Sequence, residues 1–388
     1  MPNSSQTARI VIVGLGSLAI AMGIGRFAFT PLLPLMREDG LVGISDGGVL
    51  ASVHFLGYWL GAVFAAKIPY PPKTVLRLSL IAIGVSTFAM GMTDSLLLWS
   101  VLRWICGVCS AFALVLVSNY YIKKLADLGL SQKQGWVFSG VGIGIAVAGS
   151  GTLAIMAGGI GSAHSWLIFG GATLVAAVVV CAGIGPEIAA SRADAQSQGS
   201  RTSPLSWRLV IAYGTAGIGY IIPATYLPVM ARETVSSPLL FGLAWPVFGI
   251  AAFLSTLLAA RINSRYSNAQ IWTASQFIMA AGLVLPVIWP HISTVIIAGI
   301  CVGGTFMIIT MMGMKEAHRI APVHDVMRHI SVMTAAFASG QMIGPLFAGV
   351  LYDVTRSFNA SLVITSLALA ITALSLMCGS AVTKTAAT

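Results

Sequence analysis

Charge is the scarcest ingredient of this chain: only 8% of its 388 residues are Asp, Glu, Lys or Arg. A soluble globular domain carries roughly 25%. So few charges cannot build a water-facing surface, and most of the surface must face lipid. Carboxylates are the rarer sign, 11 Asp and Glu against 21 Lys and Arg. The net charge of +10 does not point to nucleic acid. Such a partner requires a basic patch interleaved with aromatics on one face, and here the cations are scattered between apolar runs. Cysteine is also sparse. Cys106, Cys109, Cys181, Cys301 and Cys378 all lie in apolar runs and are odd in number, which excludes a disulfide framework. The C-x-x-C of Cys106 and Cys109 has no strand context and reads as small buried apolar residues. No cleavable leader is expected, because the first apolar run, from Ile10 to Met36, is too long for a signal peptide. G-L-G-S-L-A at 14–19 mimics half a dinucleotide fingerprint, but no strand precedes it. His318, His324 and His329 read as loop side chains in solvent, so neither a cofactor nor a metal is expected.

What is there is hydrophobic: 57% of residues are apolar or aromatic, and mean hydropathy is +0.91. A helix crossing a bilayer needs about 20 apolar residues. Runs of that length fall near 10–36, 46–66, 74–93, 96–122, 134–158 and 164–184. Six more fall near 207–230, 238–260, 269–289, 293–314, 329–351 and 359–381. The expected fold is an all-α membrane protein of twelve transmembrane helices in two six-helix bundles, residues 1–188 and 205–388. The polar stretch 189–204 between them reads as a flexible linker. With both termini cytoplasmic, sixteen Lys and Arg fall inside and three, Arg37, Arg232 and Arg356, fall outside. Arg26 and Arg103 stay within the membrane. That bias orients the chain in a bacterial inner membrane. A monomer in contact with membrane lipids is expected.

The two halves resemble each other. G-I-G-R-F-A-F-T-P-L-L-P-L-M at 23–36 aligns with G-I-G-Y-I-I-P-A-T-Y-L-P-V-M at 217–230, an offset of 194. A-A-K-I at 65–68 aligns with A-A-R-I at 259–262 at the same offset, and 139–149 aligns with 339–349 at an offset of 200. Three matches in one order imply pseudo-symmetric bundles related by an axis along the membrane normal. A small-molecule substrate site is then expected between them.

The duplicated plan, the basic 2–3 and 8–9 loops and R-W-I-C-G-V-C-S-A in helix 4 are similar to the major facilitator superfamily. The last string resembles its R-x-x-x-G motif through Arg103, Gly107 and Ala111. The helix-1 string, F-S-G-V-G-I-G-I and the helix-7 string resemble the YbfB/YjiJ-like branch. The resemblance implies alternating access, and for Arg103 a role in the transport cycle often associated with proton coupling. The alternative is a gate-stabilising Arg103 paired with Asp46 or Asp94. One departure is clear. The 2–3 loop, Gly61 to Lys73, carries no acidic residue, so a charge latch there is not expected. Lys67 and Arg261 are left to helix C-terminal ends or lipid phosphates.

Arg26 is the most informative residue, about 24 Å along the first helix at 1.5 Å per residue. An Arg at the bilayer centre costs at least ~2.5–3.5 kcal/mol unless a cavity or partner receives it, and no carboxylate lies at that depth. It is either a fork for an anionic substrate or an Arg bonded to helix carbonyls, or to Tyr and Gln from the other half. Tyr220 occupies the matching repeat position, across the expected cavity. Thr225, Tyr226, Trp245, Gln276 and Gln341 are further substrate-contact candidates, or else satisfy neighbours within the bundle. His54 could carry a coupling proton, or be a hydrogen-bonded core histidine. Pro31, Pro34, Pro223 and Pro228 should bend the outer ends of helices 1 and 7, as a gate requires. An intramembrane enzyme lacks paired catalytic groups at depth, a channel lacks a polar stripe, and a sensor lacks a soluble domain. A secondary transporter of a small solute remains: uptake of an organic anion or, alternatively, proton-driven export of amphipathic compounds.

Overall fold

The computed structural model describes residues 4–65, 70–130, 133–185, 204–235, 237, 242–262, 265–321 and 326–385. Among them the chain forms helices and no strand. We number these α1 (Ser5–Glu38), α2 (Ile44–Phe64), α3 (Pro72–Met92), α4 (Leu96–Val117), α5 (Gln134–Ala157) and α6 (Ser162–Gly183). The second set is α7 (Trp207–Thr234), α8 (Ala244–Ile262), α9 (Asn268–Ile288), α10 (Ile292–Ile320), α11 (Val326–Thr355) and α12 (Asn359–Thr385). Eleven of these are long and apolar enough to cross a bilayer; α8 carries a shorter apolar stretch, Ala244–Ala259. The linker at 189–203 and Lys67 lie outside the described residues, as does the side chain of Arg261, so the expected fate of the two basic loops does too.

Most apolar runs coincide with a helix, but α10 and α11 overrun theirs. Lys315 to Ile320 are helix formers, and Glu316 and Arg319 pair one turn apart at 2.6 Å. The helix therefore continues after the apolar run stops. Starts are set by caps. Asp46 Oδ2 accepts from the Gly43 N–H at 2.8 Å to begin α2, and Ser267 with Gln270 forms a capping box on α9.

α1 and α7 differ in regularity. α1 contains a π-turn at Ala19–Ile24, whereas Ala28 keeps a helical backbone and donates to the Ile24 carbonyl at 2.9 Å, so the helix runs on to Glu38. Pro31 cannot donate to the carbonyl of Phe27 four residues back, so one helical hydrogen bond is missing there. α7 runs unbroken over 28 residues with Pro223 and Pro228 inside it. Pro31 and Pro34 thus lie in the C-terminal part of α1 and Pro223 and Pro228 in the matching part of α7, where a bend was expected.

The packing is two-fold. In the first half α2 packs on α4, α3 on α4 and α6, and α1 on α5. In the second, α8 packs on α10, α9 on α10 and α12, and α7 on α11. Adding six to each helix of the first set gives the second. The seams between halves obey the same rule: α5 meets α8, α11 meets α2, and α1 meets α7. Close approach depends on glycine in both halves. A Cβ on Gly140 would lie 2.2 Å from the Leu15 carbonyl oxygen of α1, and one on Gly340 would lie 2.4 Å from that of Gly214 on α7. Only a residue without a side chain lets the helix backbones approach this closely.

Candidate functional site

Arg26 lies past the midpoint of α1 and is 5% exposed. Its terminal nitrogen donates a hydrogen bond to the hydroxyl of Tyr220 on α7. The same hydroxyl oxygen accepts from Gln341 Nε2 of α11 at 2.7 Å. The guanidinium carbon sits 4.7 Å from the centroid of the Phe55 ring, 5.0 Å from Phe27, 5.2 Å from Tyr58 and 5.8 Å from Tyr220. Each such contact is worth roughly 0.5–2 kcal/mol when shielded from water. Several together are of the same order as the burial cost, so the rings stand where a carboxylate partner would otherwise be needed. Its Nε has no hydrogen-bond partner, nor has Gln341 Oε1.

Three contacts between α1 and α7 join positions 194 residues apart. They are Arg26 with Tyr220, Thr30 Oγ1 donating to the Ala224 carbonyl at 2.6 Å, and Arg232 with Glu38 at 2.6 Å. The spacing 26, 30, 38 is one face of a helix. The same 194 relates the repeats in sequence, so each residue touches its own counterpart. Equivalent positions meet each other only on the symmetry axis. The pseudo-two-fold axis therefore passes between α1 and α7, and Arg26 lies beside it. The halves are bridged at the end remote from the linker by Arg232 with Glu38 and by Ser45 Oγ donating to Asp353 at 2.5 Å.

Arg103 is held differently. Its two terminal nitrogens donate to the carbonyls of Gly25 and Arg26, at 3.0 and 3.2 Å, and its guanidinium lies 4.9 Å from the Phe29 ring centroid. Cys106 Sγ joins it on the Gly25 carbonyl at 3.1 Å. The expected pairing with an acid is not formed: Asp46 is engaged in the α2 cap and Asp94 is exposed. A small cavity with room for at most one water lies between the two arginines, bounded also by Phe29, Thr30, Phe55 and Thr225.

The remaining candidates separate. Trp245 is fully buried near the site, stacked on Phe248 at 4.8 Å and 5.8 Å from Phe27. Tyr226 donates to the carbonyls of Pro345 and Ile44, at 2.9 and 3.4 Å, and braces the α2–α11 seam instead of reaching Arg26. Gln276 Nε2 donates to Thr372 at 2.5 Å and ties α9 to α12. His54 is fully buried against α4, where a Cβ on Gly107 would lie 2.0 Å from its carbonyl oxygen. Neither of its ring nitrogens makes a hydrogen bond, and its ring meets Phe55 edge-on at 5.5 Å. No group of metal ligands occurs among the described residues. The aromatic surroundings, Phe55, Tyr58, Phe306 and Phe337, were not singled out by sequence, because an aromatic in an apolar helix looks alike whether it faces lipid, core or site. Thr30 and Glu38 had a usable signal, the 194 offset.

The family described as "Uncharacterised MFS-type transporter YbfB" matches residues 18–377. The chain belongs to this family. The YbfB-type proteins are membrane transporters of the major facilitator superfamily and not enzymes. A curated relative, the "Uncharacterized MFS-type transporter YceJ" of Bacillus subtilis (strain 168), is 25% identical over 360 residues, covering 89% of this chain and 90% of its own. Among solved structures, the nucleoside transporter NupG matches with a TM-score of 0.71 over 96% of this chain and 98% of its own. A point mutant of NupG matches with 0.74 over 96% and 99%. Both are 13% identical to this chain, so the likeness is one of fold.

Proposed function

We propose that this YbfB-type protein is a secondary active transporter that moves a small organic anion across the bacterial inner membrane by alternating access. The observation that carries the reading is Arg26: a buried cation on the axis between the halves, with neutral partners and an unpartnered Nε. A cation whose one polar side-chain partner among the described residues belongs to the opposite half must find another when the halves part. An anion entering between them is the best replacement. The moving bodies are residues 1–188 and 205–388, tied by a cytoplasmic linker at 189–204, with both termini cytoplasmic and a monomer as the working unit. The end bridged by Arg232 and Glu38 is then the external one. Transport is coupled to protons, and His54, fully buried on α2, is the group to test for it. Export of amphipathic compounds is the second reading, favoured by the many rings near Arg26.

Counterflow of labelled organic acids in proteoliposomes tests the function. Arg26→Lys keeps the charge without the planar fork and should bind weakly; Arg26→Ala should abolish transport of anions. Unchanged affinity in both, with a large fall in melting temperature, would assign Arg26 to the scaffold. Orientation has its own test. A cysteine at Gln198 in a cysteine-free background should resist impermeant reagents added to whole cells, and ready labelling would reverse the topology.

A further inference from the structure

Resting on the reading of Arg26 as an anion site, we propose that the preferred ligand is a planar aromatic monoanion, its charge on Arg26 and its ring against an aromatic wall of the second half. The wall begins with three parallel rings. Tyr220 lies between Phe306 and Phe337, with centroids 5.0 and 5.5 Å away and interplanar angles of 11° and 10°. Phe248 continues the row at 5.8 Å from Phe306, and Trp245 follows at 4.8 Å. These rings come from α10, α7, α11 and α8, so four separate helices converge on one stack. Core packing alone does not require parallel rings, since aromatic pairs are also stable edge to face.

The middle ring of this stack carries the hydroxyl that Arg26 holds. The chain therefore already presents the arrangement a ligand would adopt: a flat ring between phenylalanines with an oxygen on the guanidinium. A carboxylate on an aromatic ring repeats it with a stronger bond, because both partners are then charged. Arg26 Nε is available as a second prong. Once displaced, the Tyr220 hydroxyl proton can turn to Gln341 Oε1, which is buried without a partner. Arg103, the other nearby cation, has both terminal nitrogens on backbone carbonyls and only its Nε unpartnered, so Arg26 alone offers a terminal nitrogen together with Nε, and a single negative charge matches it. The site is contracted in this structure, with room for at most one water, so the ligand enters when the halves separate.

The test uses the purified full-length protein in detergent with benzoate and cyclohexanecarboxylate, which share charge and carbon count but differ in planarity. Calorimetric Kd values should favour benzoate by about fivefold. Phe306→Leu and, independently, Phe337→Leu should bring the ratio to about one while cyclohexanecarboxylate changes by less than about twofold. Either variant suffices if the other fails to elute as the native species. Arg26→Gln should remove binding of both acids. Equal affinity for the two acids in the native protein would overturn the aromatic preference and leave the anion reading intact. A benzoate preference that survives in both leucine variants would overturn the role of the wall. Tighter binding of the dianion isophthalate would overturn the single charge. Benzamide binding as well as benzoate, or neither acid binding, would overturn the anion reading and this inference with it.

Discussion

Arg26 and Arg103 are both buried, 5% and 4% exposed, and both engage the same stretch of α1, yet they are satisfied in opposite ways. Arg103 donates to two backbone carbonyls of its own half and keeps those bonds whatever the other half does. Arg26 donates across the axis to Tyr220 and loses that bond if the halves separate. One arginine is a pin inside a rigid body; the other is a partner between bodies. The contrast shows why depth alone does not assign a role to a buried charge. What matters is whether its partners move with it.

The comparison can be broken at several points. Arg103→Leu removes two charge-assisted bonds and should lower stability by about 3 kcal/mol, read as a fall in melting temperature in detergent. Arg26→Ala should instead weaken anion binding by about 100-fold, a loss of roughly 2.7 kcal/mol, with a smaller thermal effect than Arg103→Leu. If the two variants melt alike and bind alike, the distinction fails. Gly140→Ala and Gly340→Ala each press a Cβ on a backbone carbonyl and should cost about 1–3 kcal/mol apiece. Equal losses would bear on the halves as equivalent bodies. Tyr220→Phe leaves the ring stack but frees the guanidinium, and should tighten anion binding by about threefold. Weaker binding would make the hydroxyl a ligand contact instead of a competitor. Least of all, Glu38→Gln should change stability by less than about 1 kcal/mol, because that pair is partly exposed to solvent. Its effect should appear instead as faster opening, in the accessibility of a cysteine introduced at Thr30.

The apolar runs foretold the helices, and the duplicated strings foretold the two-fold relation, because lipid exposure and repetition are written directly in residue type. The distance of a residue from the axis is not. Tyr220 was expected across a cavity from Arg26, since an alignment offset states equivalence and says nothing about separation. Asp46 is one of two alternative partners that the sequence offers Arg103, yet an acid three residues after Gly43 at a helix start is also a capping signal. The ring stack was illegible because its members lie on α7, α8, α10 and α11, and no spacing within one helix reveals it.

The axis between α1 and α7 imposes a rule on what can stand there. A residue on a two-fold axis faces its own image, so identical cations would collide. Among the described residues, the three polar contacts between α1 and α7 join unlike residues: arginine to tyrosine, threonine to the backbone carbonyl of an alanine, arginine to glutamate. Two identical six-helix bundles in the same arrangement would carry either two guanidinium groups at the centre or none. Joining the halves in one polypeptide lets their sequences differ, and only then can a single positive charge occupy the middle of the molecule.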